Sequence, residues 1–130
     1  DLYETALAPA EVITAVRFPV PEKAAYIKFR QPASRFALVG VCVAKTANGV
    51  RVAVTGAGEC AFRVKALEDK LNAKFVAESC DGVSIPTTGL NTDLHGSAEY
   101  RAHLIPVLAK RAVSAALMTK PLARDSHSND

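Results

Sequence analysis

The chain has 130 residues, enough for one domain that buries roughly two-thirds of its unfolded surface. Its content is 49% hydrophobic but only 6% aromatic, with no Trp, so the core must be built from Val, Ala and Leu. The net charge of +3 is spread along the chain without a run of about five or six basic residues, which excludes the footprint of a nucleic-acid binder, and no apolar run approaches the ~18–20 residues that span a bilayer.

No basic start followed by an apolar block marks a signal peptide, and the abrupt beginning at Asp1-Leu2-Tyr3 suggests a part of a longer polypeptide. Cys42, Cys60 and Cys80 are odd in number and widely spaced, which reads as free thiols in a reducing cytoplasm. Leu7 to Glu11 reads as a turn, and Val12 to Phe18 then alternates. The prolines that follow, Pro19 and Pro21, would stop pairing, so this segment is expected to be a short strand at a sheet edge. Ala24 to Phe29 alternates again and predicts a second strand. Phe36 to Ala44 and Val50 to Thr55 are strand-like, and Asn48-Gly49 between them predicts an antiparallel hairpin.

After Gly56-Ala57-Gly58 the period becomes helical, with Phe62, Val64, Ala66, Leu67 and Leu71 on one side. Ala73 to Cys80 is either a weak helical segment or a short strand, and Asp81 to Thr92 is a loop. Ser97 is placed to cap a long helix from about Ala98 to Met118, with an apolar stripe through Leu104, Ile105, Leu108, Ala112, Ala115 and Ala116. Pro106 removes a donor and crowds the carbonyl of Ala102, predicting a kink or break. Residues 1–120 are expected to form the domain, and 121–130 a polar, disordered tail. Strands first and helices afterwards predict an α+β two-layer sandwich: a three- to four-stranded antiparallel sheet packed on about three helices.

Gly56-Ala57-Gly58-Glu59-Cys60-Ala61 fits the G-x-G-x-x-A dinucleotide pattern, with Glu78 about 20 residues on. Against it stand the hairpin, which supplies an antiparallel neighbour, the lack of further β-α units, and the Glu59 carboxylate where a phosphate should sit. A tight strand-to-helix turn is the simpler reading. His95, His103, Cys60 and Cys80 lack structural-zinc spacing. Asp93 and Glu99 are explained by a helix start, and Ser34 has neither a nearby His nor a G-x-S-x-G setting.

The loop between the second and third predicted strands is the most informative stretch. Lys28, Arg30 and Arg35 fall close together there with Gln31 and Ser34. Guanidinium forks and an ammonium in one turn favour planar anions, carboxylates or the carbonyl edge of a redox ring. A solvated polar turn with no specific role is the plainer alternative.

Several stretches, in order, resemble the C-terminal domain of the flavoprotein (medium) subunit of molybdenum hydroxylases, the carbon monoxide and xanthine dehydrogenase family. They are residues 4–13, Val16-Arg17-Phe18-Pro19, Tyr26 to Arg30, Phe36 to Val41, Val52 to Gly58, Ala61-Phe62-Arg63 and Ser97 to Leu104. The resemblance implies a small antiparallel sheet under three helices, preceded by domains that hold most of the FAD. It implies a cytoplasmic oxidoreductase fragment, not catalytic alone, whose partners are an iron–sulfur subunit and a molybdopterin subunit. It puts Lys28, Arg30, Gln31, Ser34 and Arg35 near the flavin, where a cation would stabilise the anionic reduced ring. Two departures are Glu59, where the family more usually has Pro, and Pro106 in a helix that usually runs through. The alternatives are a stand-alone binding or assembly module of the same fold and, third, a nucleotide-binding protein using Gly56-Ala57-Gly58.

Overall fold

The computed structural model describes residues 4–119. The sheet is built from β1 (Lys23–Arg30), β2 (Ala37–Thr46), β3 (Gly49–Thr55) and β4 (Phe62–Arg63), in that spatial order and antiparallel throughout. Two α-helices follow, α1 (Lys65–Ala73) and α2 (Ala98–Met118), with a 3₁₀ turn at Ala77–Cys80 between them. The α+β two-layer sandwich is therefore as expected, with the third helix reduced to that turn. The expected tail at 121–130 lies outside the described residues.

Alternation decides which face is buried. Val39, Val41 and Val43 of β2 and Val50, Val52 and Val54 of β3 turn inward. They meet Leu67 and Leu71 of α1 and Ile105, Leu108, Ala109, Ala112 and Val113 of α2, making one contiguous core. The α2 stripe runs through Ala109 and Val113 rather than Ala115, which is only partly buried. The other sheet face carries no helix. There Tyr26 and Lys28 of β1 pair with Cys42 and Gly40 of β2, and Gly40 with Thr55 of β3.

The expected strand over Val12–Phe18 is not formed. Residues 4–22 contain no strand, and Val12, Val16 and Phe18 are 79%, 65% and 83% exposed. Pro19 and Pro21 lack the N–H groups with which this segment would join the edge of β1. The preceding turn is present: Glu11 N donates to the Ala8 carbonyl at 3.1 Å, with Ala10 at φ +69°. The β2–β3 hairpin is as read, although its two turn residues are Ala47 and Asn48, because Gly49 already pairs with Thr46.

Helix α1 begins at Lys65 rather than Phe62. Phe62 and Arg63 are recruited by Val54 and Ala53 as a two-residue edge strand, and Val64 N extends the contact to the Val52 carbonyl at 3.0 Å. Such a short β4 would leave N–H groups of β3 bare, which sheet edges avoid. Side chains of α1 fill the gap. Glu68 Oε1 accepts from Val52 N at 3.0 Å, and Asn72 Oδ1 accepts from Val50 N at 2.8 Å. Residues four apart on a helix are spaced like residues two apart on a strand, so both bonds fit at once. Helix α2 starts at the Ser97 cap, whose Oγ accepts from Tyr100 N at 3.2 Å. It runs through Pro106 without a break.

Candidate functional site

Pro32 fixes its own φ and holds Gln31 in extended backbone, so β1 ends there. The chain reverses over residues 31–36. Gln31 N donates to the Phe36 carbonyl at 2.9 Å, and Arg35 N donates to the Gln31 carbonyl at 2.8 Å. Arg35 sits at φ +61°, an uncommon conformation for a residue with a Cβ. The Gln31 side chain braces the turn from inside, its Oε1 accepting from Ser34 N at 2.7 Å and from Ser34 Oγ at 3.2 Å. Ser34 Oγ in turn accepts from Phe36 N at 3.3 Å.

This arrangement divides the sequence-nominated residues into two groups. Gln31 and Ser34 are brought together, and their polar atoms are engaged within the loop. Lys28, Arg30 and Arg35 are exposed and form no ion pair among the described residues. Among the described residues, the end of β1 and its turn therefore present cationic groups without counter-charges. They line neither the cleft between residues 58–66 and 84–91 nor the one between residues 80–83 and 103–110. Phe36, next to Arg35, is 77% exposed. Sequence reading took it as the start of a strand and missed it as a surface group.

A second loop buttresses the first. Gln31 Nε2 lies 3.4 Å from His95 Nδ1, across 64 positions of sequence. His95 is held by Asp93, whose Oδ1 accepts from His95 N at 2.8 Å and from Gly96 N at 3.2 Å. Asp93 Oδ2 accepts from Arg101 Nη2 at 2.7 Å. The His95 amide, with the Arg101 guanidinium and the Gly96 amide, holds the Asp93 carboxyl below the usual range against a desolvation push upward. Arg101 itself is buried, and its Nη1 donates to the Leu38 carbonyl at 2.7 Å and the Gly56 carbonyl at 3.0 Å. One guanidinium thus ties the start of β2, the end of β3 and the 93–96 loop to α2.

The bond to Leu38 is possible because β1 and β2 slip there. Phe29 pairs with Val39 but Arg30 with Ala37, leaving Leu38 without a partner and turned into the core. On the open face Tyr26 lies across Gly40, and its hydroxyl reaches Thr55 Oγ1 at 3.2 Å. A Cβ at residue 40 would collide with Tyr26 Oη. Below, Phe29 meets Tyr100 edge to face, with centroids 6.2 Å apart.

The Gly56-Ala57-Gly58 motif has structural causes. Gly56 is at φ +77° and leaves no room for a Cβ beside the Ala37 carbonyl. Gly58 lets the Gly89 carbonyl approach, alongside a bridge from Gly58 to Leu90. The sheet is antiparallel throughout, and α1 starts only at Lys65, so no helix N-terminus follows the glycines. A cleft of about 770 Å³ does lie beside them, between residues 58–66 and 84–91. Of the thiols, Cys80 is buried, which pushes it up to about 11, while Cys60 is exposed; no group of three or more His, Cys, Asp or Glu that could hold a metal occurs among the described residues.

Residues 24–116 match the sequence model of the CO dehydrogenase flavoprotein C-terminal domain. The chain belongs to that family. Among relatives of this flavoprotein domain, the nicotine 6-hydroxylase medium subunit of Paenarthrobacter nicotinovorans is 35% identical over 121 residues, covering 85% of this chain and 43% of the relative. The carbon monoxide dehydrogenase medium chain of Afipia carboxidovorans is 28% identical, over 88% of this chain and 44% of its own. In solved structures, the reconstituted CO dehydrogenase from Oligotropha carboxidovorans superposes with a TM-score of 0.68 at 24% identity, over 88% of this chain and 44% of the other, a likeness of fold. Carbon monoxide dehydrogenase from Hydrogenophaga pseudoflava gives 0.57 at 26% identity, over 77% and 38%. The flavoprotein domain described here thus spans less than half the length of the relatives it matches.

Proposed function

We infer that this chain is the C-terminal part of the FAD-binding medium subunit of a molybdenum hydroxylase of the carbon monoxide or xanthine dehydrogenase type. Its role is to supply one wall of the flavin site and to pack against the preceding FAD-binding domains. The iron–sulfur and molybdopterin subunits of a cytoplasmic complex are its further partners. FAD, when bound, supplies the redox chemistry, passing electrons from the iron–sulfur clusters to an acceptor.

The residues at the β1 end suit one edge of that group. Lys28, Arg30 and Arg35 have no acidic partner among the described residues, so their charge is available to an anionic ring edge. The exposed Phe36 ring offers an apolar surface beside them. Gln31 and Ser34 contribute by holding the turn, with the Asp93–Arg101 clasp fixing His95 behind Gln31. The observation that carries the reading is this set of uncompensated cations on a braced turn, within a domain whose family is a flavoprotein's.

The test is the flavin midpoint potential of the intact subunit with Arg30→Ala and Arg35→Ala. Loss of a cation should make the potential more negative. Unchanged potential and turnover in both variants would remove the loop from the cofactor site.

A further inference from the structure

The side-chain amide of Gln31 has its orientation fixed by its partner in the turn. Ser34 N can only donate, and it lies 2.7 Å from Gln31 Oε1, with Ser34 Oγ 3.2 Å from the same oxygen. The other end of the amide, Nε2, carries only donors and lies 3.4 Å from His95 Nδ1. For that pair to bond, Nδ1 must accept, so the imidazole is neutral with its proton on Nε2. The backbone of His95 is held separately, its N donating to Asp93 Oδ1 at 2.8 Å.

We propose that His95 is a proton-operated latch on the basic loop: neutral, it holds Gln31 and the turn, and protonated, it releases them. An imidazolium carries N–H on both nitrogens, so Nδ1 would meet the Gln31 NH2 donor to donor. Flipping the amide would offer Oε1 to His95 but turn Nε2 toward the Ser34 N–H, losing the 2.7 Å bond. Either way the proton is felt at the bonds that impose the positive φ of Arg35. The charges on the surrounding elements leave the imidazole as the group that acts. On the β1 side, Lys28, Arg30 and Arg35 form no ion pair among the described residues, so a further cation is unwelcome there. On its own loop, Asp93 is held below the usual carboxyl range by the His95 amide and by Arg101. On α2, Arg101 is committed to Asp93 at 2.7 Å, Tyr100 stands beside it, and the Glu99 carboxyl is lowered by its own amide and the Ser97 hydroxyl. Neither carboxylate therefore changes charge between about pH 5 and 8, where histidines do. The latch uses only residues of this chain and does not depend on the flavin reading.

The experiment is NMR on the 130-residue chain from about pH 5 to about pH 8. It reads the His95 ring nitrogens and the exchange protection of the Ser34 and Arg35 amides, corrected for the intrinsic pH dependence of exchange. The neutral His95 ring should carry its proton on Nε2. Protection at Ser34 and Arg35 should fall roughly three- to tenfold on acidification, with the same midpoint as the His95 ring. His95→Gln keeps an acceptor for Gln31 at every pH, so protection should stay at its neutral-pH level throughout. His95→Lys offers only donors, so protection should stay at the acid level throughout. A neutral ring protonated on Nδ1 overturns the proposal. So does protection that ignores the titration of His95, and so does an acid fall that survives in His95→Gln.

Discussion

Glu68 offers the sharpest test of how this domain is held together, because one buried carboxylate serves two elements. Its Oε1 takes Val52 N at 3.0 Å and Arg63 Nε at 2.8 Å, while Oε2 takes Arg63 Nη2 at 2.6 Å. Burial pushes the carboxyl upward, but the Arg63 bonds, the Val52 amide and the nearby charges of Arg63 and Arg51 together bring it below the ordinary value. Glu68→Ala strands the Val52 N–H, at about 1–3 kcal/mol, and removes one buried methylene together with the carboxylate, so the loss should be about 2–4 kcal/mol. That corresponds to a fall in melting temperature of about 10 °C. Urea denaturation followed by circular dichroism measures it, and a loss under about 1 kcal/mol with unchanged m-value would refute the edge-cap account. The pH dependence is a second, independent reading. With its folded pKa depressed, Glu68 contributes stability that is present above pH 4.5 and lost as pH falls through the folded value. In Arg63→Ala the upward push of burial prevails over the single Val52 bond, so the folded pKa should rise above 4.5. The contribution then reverses sign: present at low pH, lost as pH rises through the new folded value. A variant whose stability still increases from about pH 4 toward about pH 7 as in the parent would show that Arg63 is not what keeps Glu68 charged.

Arg101→Lys should cost about 2–4 kcal/mol in urea unfolding, because an ammonium cannot reach the Leu38, Gly56 and Asp93 oxygens together; a neutral outcome would mean that water replaces the clasp. Gly40→Ala should destabilise by about 1–3 kcal/mol by displacing Tyr26 and Thr55 Oγ1, and Tyr26→Ala in the same chain should recover only part of that loss. Arg35→Gly should hold or raise stability by up to about 1 kcal/mol, since glycine accepts the positive φ, while lowering the flavin potential of the intact subunit. A loss of stability there would show that the guanidinium, rather than the backbone, is what the turn needs.

Much of the fold was legible because its signals are local. The Asn-Gly dipeptide announced the β2–β3 hairpin, and Ser97 announced the start of α2. The stretch from Val12 to Phe18 was misassigned because alternation states that a segment suits a sheet without saying which sheet. Phe62 was read as helical because its spacing to Ala66 fits a helix, whereas Val54 across the sheet outbids that preference. Two charged side chains, Glu68 and Arg101, had a usable signal that went unread. Each lies on the buried stripe of its helix, Glu68 beside Leu67 and Leu71, and Arg101 one turn before Ile105. A charge on an apolar stripe must meet a fixed partner. The contact of Gln31 with His95 had no such signal, since neither neighbourhood differs from an ordinary polar loop.

The division of labour in the basic loop follows from the same physics. A turn that holds Arg35 at positive φ is costly unless other bonds impose it, and Gln31 and Ser34 supply those bonds at the expense of their own capacity to meet a ligand. Among the described residues, Gln31 and Ser34 spend hydrogen bonds on the turn, whereas the side chains of Lys28, Arg30 and Arg35 make no ion pair. The turn is also braced from a distance, through the Gln31–His95 contact and the Asp93–Arg101 ion pair behind it. In the function proposed above, Lys28, Arg30 and Arg35 would find their counter-charge outside this domain, and the Arg30→Ala and Arg35→Ala potentials test that.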